Sequence, residues 1–460
     1  MSLSTNNDGT ITLSPHVGQA WAMAATTRII AMVAGTGGGK TVFGPWWLFR
    51  EIYDPDIGRG AGDYLAGSAS FDLLQQKMLP EMMAVFAYAL RVGRWWGANK
   101  VIELREPGGG FWARHSADRM WGRILLRSAH AGPNSFESAT AKAAWIDEGG
   151  QDTYTAAVWE ALERRLALEM GRLLITTTLY NLGYLVQNVL EPAQKGGVVT
   201  HLTSPRGEAT RTINEPAGIT LIQYDSLINP RYSEQEYRRI EGKMERGRFQ
   251  LFYRGRTAKL PGMIIHNFNR ETQIIPPFTI KPDWPRYVGL DFGGSNLIAL
   301  FYAQDPLGEN LYLFRTYHSG GNTIENYTKE ILDGEPMPAA CVGGSASENQ
   351  WRLDFANAGL PILEPPITDV EIGIGRVLSF HGGRKIFVFS NQTEYLDEIG
   401  RYRRKLDDAG NPSDEILNKR TFHTRDAERY LLSWLFETQN AEDALIIERQ
   451  EATALMLPIM

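Results

Sequence analysis

The chain has 460 residues, with 47 Lys plus Arg and 53 Asp plus Glu, which gives a formal net charge of −6. The length predicts two or three domains. The lack of an 18-residue apolar run excludes a membrane-spanning helix, and the single cysteine, Cys341, excludes a disulfide framework and a cysteine-based metal site. The polar first 20 residues lack a signal-peptide pattern, so we expect a cytoplasmic protein. The acidic balance argues at first against a nucleic-acid partner.

The charge is unevenly distributed along the chain. Residues 1–262 carry 29 basic and 25 acidic side chains, whereas residues 263–460 carry 18 basic and 28 acidic ones. Within the first part, residues 231–259 hold nine basic and four acidic side chains. Such a run is typical of a solvated helix face, and the alternative is a footprint for a polyanion. The run alone favours the solvated face.

A glycine-rich loop follows the first predicted strand of the chain. Residues 27–34 (TRIIAMVA) are apolar and β-branched, which favours a buried strand. The loop reads GTGGGKT over residues 35–41, and Ala34 occupies the first glycine position of the phosphate-loop pattern. Backbone amides of such a loop surround phosphate oxygens, Lys40 can reach the β- and γ-phosphates, and Thr41 can ligate Mg²⁺. The alternative is an ordinary glycine-rich turn.

An acidic pair ends another predicted strand of the first half. After a strand at residues 63–68 and a helix at residues 71–89, the apolar run 143–146 leads into Asp147 and Glu148. Open α/β sheets bind ligands at this end of their strands. Asp147 could hold Mg²⁺ through water, and Glu148 could orient an attacking water. The alternative is a surface turn with two acids.

The next predicted strand, residues 172–178, ends in three consecutive threonines, Thr176 to Thr178. Polar side chains at this strand end could sense hydrolysis of a bound nucleotide. Threonine also favours strands for packing reasons alone, and the stretch by itself does not separate the two explanations.

The second half begins with a different pattern. Residues 287–291, 296–302 and 311–317 are apolar runs with short polar connections, which predict an antiparallel meander. Asp291 ends the first run. Phosphodiester hydrolysis by two divalent ions needs converging carboxylates, and oxygen ligands suit Mg²⁺ or Mn²⁺. Asp291 is therefore a candidate metal ligand, and the alternative is an Asp that starts a turn.

A basic hairpin is predicted near the C-terminal part of the chain. Its basic residues are Arg401, Arg403, Arg404 and Lys405 before the turn-like segment 407–412, and Lys419 and Arg420 after it. Such a hairpin could grip phosphates without reading sequence. An exposed charged ribbon is the alternative.

Taken in order, these motifs resemble the large terminase subunit of tailed bacteriophages, the motor that packages DNA. They are AGTGGGKT, YLAGS, WIDEGG and ITTT, then INPRYSEQEYRRIEG and FYRGRTAKLPGMII, then YVGLDFGGSNLIAL and FHTRDAERYLL. The resemblance covers nearly the whole chain. It implies an α/β fold with an N-terminal P-loop ATPase domain, a parallel sheet of the additional-strand conserved-glutamate (ASCE) type. A ribonuclease H-like nuclease domain with a mixed sheet follows.

The resemblance also implies domain limits and nucleotide-site residues. It places the ATPase domain at residues 1–215, a basic helical linker at 216–262 and the nuclease domain at 263–460. The matching ATP-binding residues are Gln19, Gly35, Gly37, Gly38, Gly39, Lys40, Thr41 and Asp147, with Glu148 as the catalytic glutamate and Thr176, Thr177 and Thr178 as the coupling motif. Thr36 stands where many members carry an arginine. Arg119, Arg123 and Arg127 are the candidates to supply that charge instead.

For the nuclease, the resemblance implies three metal-binding carboxylates. Asp291 is the first, and Asp426 is the last, within a motif that His423, Asp426, Ala427, Arg429 and Tyr430 match. Many members carry the middle acid where this chain has Gly343 or Gly344. Glu348 is the best substitute for it, and Asp354 is the next acid along the chain.

The resemblance finally implies cofactors and partners. These are ATP with Mg²⁺ (Mn²⁺ being possible at the nuclease), double-stranded DNA, a portal protein and a small terminase subunit. It implies a homo-oligomeric ring, a pentamer, in the host cytoplasm and transiently on the procapsid portal vertex. Two alternatives stay open: a helicase or repair ATPase fused to a nuclease, and a catalytically degenerate structural capsid-vertex protein.

Overall fold

The computed structural model describes residues 2–5, 11–137, 140–181, 183–256, 262–293, 296–407 and 412–455. The chain divides into two compact units, Met1–Leu260 and Pro261–Met460. Each unit has its own sheet and its own buried core.

The first unit is an α/β structure built mainly around one large sheet. Its described strands are β1 (Ser2–Thr5), β2 (Ile11–Ser14), β3 (Ile29–Ala34), β4 (Gly62–Ser68), β5 (Gly93–Trp96), β6 (Val101–Leu104), β7 (Gly122–Ser128), β8 (Ala143–Asp147), β9 (Arg172–Thr177), β10 (Val198–Ser204), β11 (Gly207–Asn214) and β12 (Ile219–Tyr224). Its described α-helices are α1 (Val17–Ala24), α2 (Lys40–Tyr53), α3 (Phe71–Leu73), α4 (Leu79–Met82), α5 (Ala156–Ala167), α6 (Glu191–Gln194), α7 (Glu234–Glu241) and α8 (Arg246–Arg254). Short π-helical turns at Leu74–Met78, Met83–Ala89 and Val186–Leu190 complete these segments.

The strand order of the large sheet identifies the fold class. The order is β10-β11-β12-β3-β9-β8-β4-β7-β6-β5, and the six strands from β12 to β7 run parallel. Antiparallel strands flank this block on both sides. Strand β9 lies between β3, which precedes the glycine-rich loop, and β8, which ends in Asp147. This inserted strand confirms the predicted ASCE-type arrangement.

Burial explains why the central strands have so little polar character. Strands β3 and β8 are buried along nearly all of their length, as expected for parallel strands covered on both faces. Helix α2 packs closely on this sheet, because a Cβ added at Gly44 would collide with the Trp145 ring of β8. The first core therefore fixes the start of α2, where the glycine-rich loop ends.

The predicted boundary of the first domain needs a correction. Residues 216–262 were predicted as a basic helical linker, but β12 (Ile219–Tyr224) lies inside the large sheet, between β11 and β3. The residues of β12 pair in parallel with those of β3. The basic run that follows β12 dominates the composition of residues 216–262, so the strand was not predicted. Helices α7 and α8 do form there, and they pack on Leu227 through Tyr237 and Phe249.

The second unit is a smaller α/β structure. Its described strands are β13 (Ile274–Ile275), β14 (Arg286–Asp291), β15 (Leu297–Gln304), β16 (Leu311–Ser319), β17 (Ala340–Gly343), β18 (Ile386–Phe389), β19 (Arg404–Leu406) and β20 (Pro412–Ile416). Its described α-helices are α9 (Arg270–Gln273), α10 (Ile324–Leu332), α11 (Asn349–Asn357), α12 (Val370–Gly382), α13 (Thr393–Arg401) and α14 (His423–Leu455). Within the described ranges, no helix is long and apolar enough to cross a membrane.

The second sheet is mixed, as predicted. Its order is β13-β18-β16-β15-β14-β17. Strands β14, β15 and β16 form the predicted antiparallel meander, and β17 runs parallel beside β14. Strand β18 adds to the other side, parallel to β16. The separate pair β19 and β20 is antiparallel and forms the predicted hairpin.

One close approach delivers the start of α14 to the first strand of this sheet. A Cβ added at Gly289, in the middle of β14, would collide with the Ala427 carbonyl of α14. The helix can therefore lie directly on β14 only because position 289 lacks a side chain. This contact brings Asp426 near the end of β14, where Asp291 lies.

Candidate active sites

The glycine-rich loop joins β3 to α2 in the first unit. Gly37 and Gly39 have φ of 75° and 78°, a left-handed conformation that side-chain-bearing residues rarely adopt. Gly35 is required for a different reason, since a Cβ there would collide with the Ser226 hydroxyl and the Tyr253 carbonyl. The loop path is thus set by conformation at two glycines and by packing at a third.

Side chains from distant segments hold the carbonyl groups of this loop. The bonds are Gln19 Nε2 to Gly39 O (2.9 Å), Tyr224 OH to Gly38 O (3.0 Å), Ser226 Oγ to Thr36 O (2.7 Å) and Asn229 Nδ2 to Gly37 O (2.7 Å). His16 Nε2 also lies 3.0 Å from Gly38 O. Burial lowers the pKa of His16 to about 4, so it stays neutral at physiological pH.

Among these supports, sequence reasoning had found only Gln19. It missed His16, Tyr224, Ser226 and Asn229. The last three lie almost 200 residues after the loop, and β12 brings them there by pairing with β3. A signal was available in the apolar run of β12, but it does not reveal which loop the end of the strand will face.

The ammonium group of Lys40 lies inside the loop. Its Nζ donates to the carbonyls of Ala34 (2.9 Å) and Gly35 (3.0 Å) and to Thr178 Oγ1 (3.1 Å). Burial lowers the pKa of Lys40, while the nearby charges of Glu148 and Asp147 act to raise it. The two carboxylates favour the charged form of the buried lysine, and a charged lysine inside such a loop is well suited to meet the negative charge of a nucleotide phosphate.

Thr41 and Asp147 face each other across the loop and the end of β8. Thr41 Oγ1 donates to Asp147 Oδ2 at 2.9 Å, and Thr176 Oγ1 donates to Asp147 Oδ1 at 2.7 Å. Burial and the charge of Glu148 raise the pKa of Asp147 to about 6, against the lowering effect of the two hydroxyl donors. A threonine hydroxyl and an acid in this relation fit the Mg²⁺ that accompanies a nucleotide in phosphate-loop enzymes.

Glu148 adopts an unusual backbone conformation. Its φ is 55°, which is uncommon for a residue other than glycine and is often found at functional positions. The Thr178 amide donates to Glu148 Oε2 at 3.2 Å. This turn presents the carboxylate beside Lys40, where its charge acts on the lysine.

The three threonines of the predicted coupling motif have three different partners. Thr176 bonds Asp147, Thr177 Oγ1 accepts from the Gly150 amide at 3.0 Å, and Thr178 accepts from Lys40. All three are buried. Each hydroxyl contacts a different part of the candidate site, which a preference of threonine for strands does not explain. These contacts therefore favour the predicted coupling motif over the explanation from strand propensity.

The arginines considered as replacements for the loop arginine have partners elsewhere. Arg123 forms a two-pronged ion pair with Asp63 on the neighbouring strand β4, at 2.8 and 3.0 Å. Arg127 donates to the Leu126 carbonyl at 3.0 Å, and Arg119 lies over the Trp112 ring at 5.9 Å. Arg123 is therefore better explained as a structural residue of the sheet.

The candidate nuclease residues meet at the carboxyl end of β14. His423 Nδ1, on the first turn of α14, lies 2.8 Å from Asp291 Oδ2. Burial raises the pKa of Asp291, and the charges of Asp426 and Glu348 raise it further, while the hydrogen bond to His423 lowers it. The fold thus brings Asp426 and Glu348 within electrostatic reach of Asp291.

Each of the other two acids has a partner in the second unit. Asp426 Oδ1 accepts from Arg429 Nη2 at 2.9 Å. Glu348 Oε2 accepts from the Ser345 amide at 2.6 Å and from its hydroxyl at 2.9 Å. Across the described residues, no three His, Cys, Asp or Glu side chains are arranged to hold a metal ion. The oxygen chemistry suits Mg²⁺ or Mn²⁺, but the ligand set is not assembled.

The absence of the middle acid at positions 343 and 344 has a steric explanation. A Cβ at Gly343 would collide with the Leu290 carbonyl, and a Cβ at Gly344, where φ is 76°, would collide with the Phe292 ring. Neither position can carry an aspartate in this structure. Glu348 acts on the pKa of Asp291, whereas Asp354 accepts from Gln350 Nε2 at 2.8 Å, so the choice of Glu348 over Asp354 is favoured.

Some basic residues of the predicted DNA-binding hairpin are buried or paired with carboxylates. Arg401 is buried at the end of α13 and pairs with Asp397 at 2.6 Å, because the helix turns that side chain into the core, so it cannot serve as a surface DNA contact. Arg404 pairs with Glu371, and Lys405 pairs with Glu415 at 3.2 Å. Lys419 and Arg420 are exposed. Lys405 is exposed and Arg404 is half-buried, and their pairing with carboxylates favours a charged ribbon over a phosphate grip at these two residues.

Some of the basic residues of the first unit's basic run also form ion pairs. Arg238 pairs with Glu241 at 2.9 Å, Arg239 with Glu236 at 2.5 Å, and Arg254 with Glu241 at 2.8 Å. These contacts favour the solvated helix face over a polyanion footprint, as composition did.

No protein-family model and no curated protein matches the sequence. Solved structures do match. The large terminase of a thermophilic bacteriophage, in complex with ADP, is 14% identical, with 91% of this chain and 98% of that chain covered and a TM-score of 0.41. The HK97 bacteriophage large terminase is 13% identical, with coverages of 92% and 95% and a TM-score of 0.45. The ATPase domain of the Thermus phage P74-26 large terminase is 16% identical, with coverages of 53% and 94% and a TM-score of 0.42.

These structures are all terminases, the family that the motifs resemble. Because one fold hosts many activities, the side chains of this chain determine its activity.

Proposed function

We propose that this chain is the large subunit of a viral DNA-packaging terminase. Its first unit hydrolyses ATP to move double-stranded DNA into a procapsid, and its second unit is a divalent-metal-dependent endonuclease that cuts concatemeric DNA. It works as a homo-oligomeric ring, a pentamer, with a portal protein and a small terminase subunit, in the host cytoplasm and at the procapsid portal vertex.

The proposal for ATP hydrolysis rests mainly on one observation. Lys40, Thr41, Asp147 and Glu148, which come from two separate strand ends, converge on one glycine loop whose carbonyls are already bonded. Preorganised donors and charges aimed at a phosphoryl group are the main requirement of phosphoryl transfer.

Each residue then has a specific task in hydrolysis. The loop amides and Lys40 bind the phosphates, with Lys40 exchanging its carbonyl partners for phosphate oxygens. Bound Mg²⁺ would neutralise phosphate charge, and Thr41 and Asp147 would hold it. Glu148 orients the attacking water, and Thr178, bonded to both Lys40 and Glu148, responds when the γ-phosphate leaves.

The proposal for the nuclease rests on the meeting of Asp291, Asp426 and Glu348 beside β14. Burial raises the pKa of Asp291, and the charges of Asp426 and Glu348 raise it further, as expected for clustered carboxylates whose repulsion a divalent cation would reduce. Since the ligand set is not assembled in this structure, the test has to address cleavage directly.

Two single substitutions separate the two activities. Lys40→Ala is expected to lower ATP turnover by a factor on the order of 1000 while Mn²⁺-supported plasmid cleavage persists. Asp291→Ala is expected to abolish that cleavage while ATP turnover persists. Arg164→Ala, in an exposed ion pair with Glu137, is the control for both assays. Retained ATP turnover in Lys40→Ala would refute the nucleotide site, and unchanged cleavage in Asp291→Ala would refute the metal site.

A strand-displacement assay distinguishes a packaging motor from a helicase. The wild-type chain, with ATP and a forked duplex, is expected to leave the strands paired, because a packaging motor moves intact duplex. ATP-dependent separation of the strands would instead favour a helicase fused to a nuclease. Absence of both ATP turnover and cleavage, even with a portal protein present, would favour a structural capsid-vertex protein.

A further inference from the structure

Arg429 is a buried arginine of the second unit that the proposed cleavage does not yet use. It lies on α14, three residues after Asp426, and only 4% of its surface is exposed. Its Nη2 donates to Asp426 Oδ1 at 2.9 Å. The Nε and Nη1 atoms of the same guanidinium are buried and have no hydrogen-bond partner among the described residues. Because most buried polar atoms in proteins are hydrogen-bonded, hydrogen bonding alone does not explain why this guanidinium is buried here.

The surrounding structure makes room for this side chain. A Cβ added at Gly373 of α12 would lie 2.4 Å from Arg429 Cγ and 2.5 Å from its Cδ, so the glycine lets the arginine stem pass against α12. The guanidinium carbon lies 4.6 Å from the centre of the Tyr430 ring, a contact that stabilises a cation. Since an arginine side chain stays charged in proteins, the fold places a permanent positive charge beside Asp426.

The position of Asp426 on α14 places it at the candidate nuclease site. His423 lies three residues earlier, on the same face of the helix, and its Nδ1 lies 2.8 Å from Asp291 Oδ2. Asp291 thus meets a histidine, whereas Glu348 accepts from the neutral amide and hydroxyl of Ser345. In contrast to both, Asp426 pairs with a side chain whose positive charge does not depend on pH.

We propose that Arg429 is the internal counter-ion of the candidate nuclease site: it neutralises Asp426 and competes with divalent cations for that carboxylate. This inference rests on the proposed nuclease function. Neighbouring carboxylates repel each other unless a positive charge lies close to them, and Arg429 supplies that charge from within the chain. Its pairing with Asp426 also accords with the described carboxylates not being arranged to hold a metal ion. The affinity of the second unit for divalent cations is then limited by competition with its own arginine.

The Mn²⁺ affinity of the full chain, measured by isothermal titration calorimetry without nucleotide or DNA, tests this role. Arg429→Met keeps an unbranched stem but removes the charge, and it is expected to tighten Mn²⁺ binding on the order of tenfold. Arg429→Gln is a second neutral variant, should the methionine variant fold poorly, and it is expected to tighten binding in the same direction. Arg429→Lys retains the charge, so its Mn²⁺ affinity should stay within about twofold of wild type.

The matched control is Arg376→Met on α12. Arg376 also pairs with a carboxylate of α14, that of Glu437 at 2.8 Å, and also lies over an aromatic ring, that of Phe436, at 3.8 Å. This pair lies about three helical turns beyond Asp426, so removal of the Arg376 charge should leave the Mn²⁺ affinity unchanged.

A double substitution locates the effect at the candidate nuclease site. In an Asp291→Ala background, the tightening caused by Arg429→Met should fall to within about twofold, because the site that gains from it is already impaired. Unchanged or weaker Mn²⁺ binding in both neutral variants, equal tightening in Arg429→Lys, or full tightening in the Asp291→Ala background would overturn the counter-ion role. Wild-type Mn²⁺ affinity together with unchanged plasmid cleavage in Asp291→Ala itself would instead overturn the proposed nuclease function.

Discussion

The two candidate sites of this chain differ in how complete they are. In the first unit, the loop carbonyls are bonded and Thr41 and Asp147 already face each other. In the second unit, the charges of Asp426 and Glu348 act on Asp291. Each of these carboxylates is nevertheless hydrogen-bonded to a protein group: Asp291 to His423, Asp426 to Arg429 and Glu348 to Ser345. The loop of the first candidate site is therefore preformed, although Lys40 would still exchange its carbonyl partners, whereas in the second candidate site each of the three carboxylates would have to exchange a partner.

The difference follows from how each site is built. The glycine loop of the candidate nucleotide site is backbone and contiguous sequence, which a strand–loop–helix unit positions as it folds. The nuclease site consists of rotatable carboxylates from three segments, so its geometry depends on how well the start of α14 is anchored. Buried charges supply that anchor: Glu428 accepts from Tyr395 at 2.5 Å and from Arg425 at 2.8 Å.

The largest expected effect tests the anchoring of the second unit. Arg401→Ala removes the guanidinium that pairs with the buried carboxylate of Asp397 and is expected to destabilise the second unit by about 3–5 kcal/mol, measured by chemical denaturation. The control Lys405→Ala breaks an exposed pair and should cost at most about 1 kcal/mol. If Arg401→Ala folds as stably as wild type but binds DNA more weakly, Arg401 is a DNA contact after all.

The next prediction breaks the preformed site of the first unit. Gly35→Ala places a Cβ against Ser226 and the Tyr253 carbonyl and is expected to cost about 1–3 kcal/mol in stability and most of the ATP turnover. Gly110→Ala is the control, because nothing lies within 4 Å of its added Cβ. Equal ATP turnover in both variants would show that the close approach at Gly35 is not needed.

The stability of the second unit is expected to depend on pH through the buried carboxyl group of Glu398. Glu398 accepts from the Thr424 amide at 3.0 Å and from its hydroxyl at 2.5 Å, and burial raises its pKa to about 7 from 4.5. The folded state therefore binds this proton more tightly, so the stabilisation is present below about pH 4.5 and is lost as pH rises through about 7.

The stabilisation from this proton amounts to at most about 3 kcal/mol. Glu398→Gln should remove this part of the pH dependence of the unfolding free energy, measured by denaturant titration at pH 4.5 to 8. An unchanged slope in Glu398→Gln would assign the pH dependence to other groups.

The smallest expected effect concerns one support of the loop. Asn229→Ala removes the donor to the Gly37 carbonyl, which is expected to weaken ATP binding by about fivefold to tenfold, as for the loss of one hydrogen bond. Isothermal titration calorimetry with ADP, which would bind the same loop, would measure this loss of nucleotide affinity. Because the other carbonyl supports remain, kcat should change less than affinity; a large fall in kcat at unchanged affinity would contradict a purely supporting role.

Much of this architecture could be predicted from the sequence because the signals are local. Apolar runs located β3, β4, β8, β9 and the meander, and the glycine loop with its following lysine identified the nucleotide site.

What escaped prediction depends on distant contacts. The Asn229 support forms because β12 joins the sheet next to β3, and a composition dominated by arginine made this region look like a linker. The burial of Arg401 depends on how α13 packs, which charge patterning does not report. The loss of an acid at Gly343 is visible in the sequence, but its steric cause is not.

The left-handed turn at Glu148 has an evolutionary consequence. For residues other than glycine, this conformation costs about 1–2 kcal/mol, and asparagine tolerates it best. Selection for folding stability alone should therefore replace Glu148 with Asn or Gly, whereas selection for ATP hydrolysis should retain it. A deep mutational scan read out once by abundance and once by activity would show opposite preferences at position 148, which is the expected signature of a residue kept at the expense of stability.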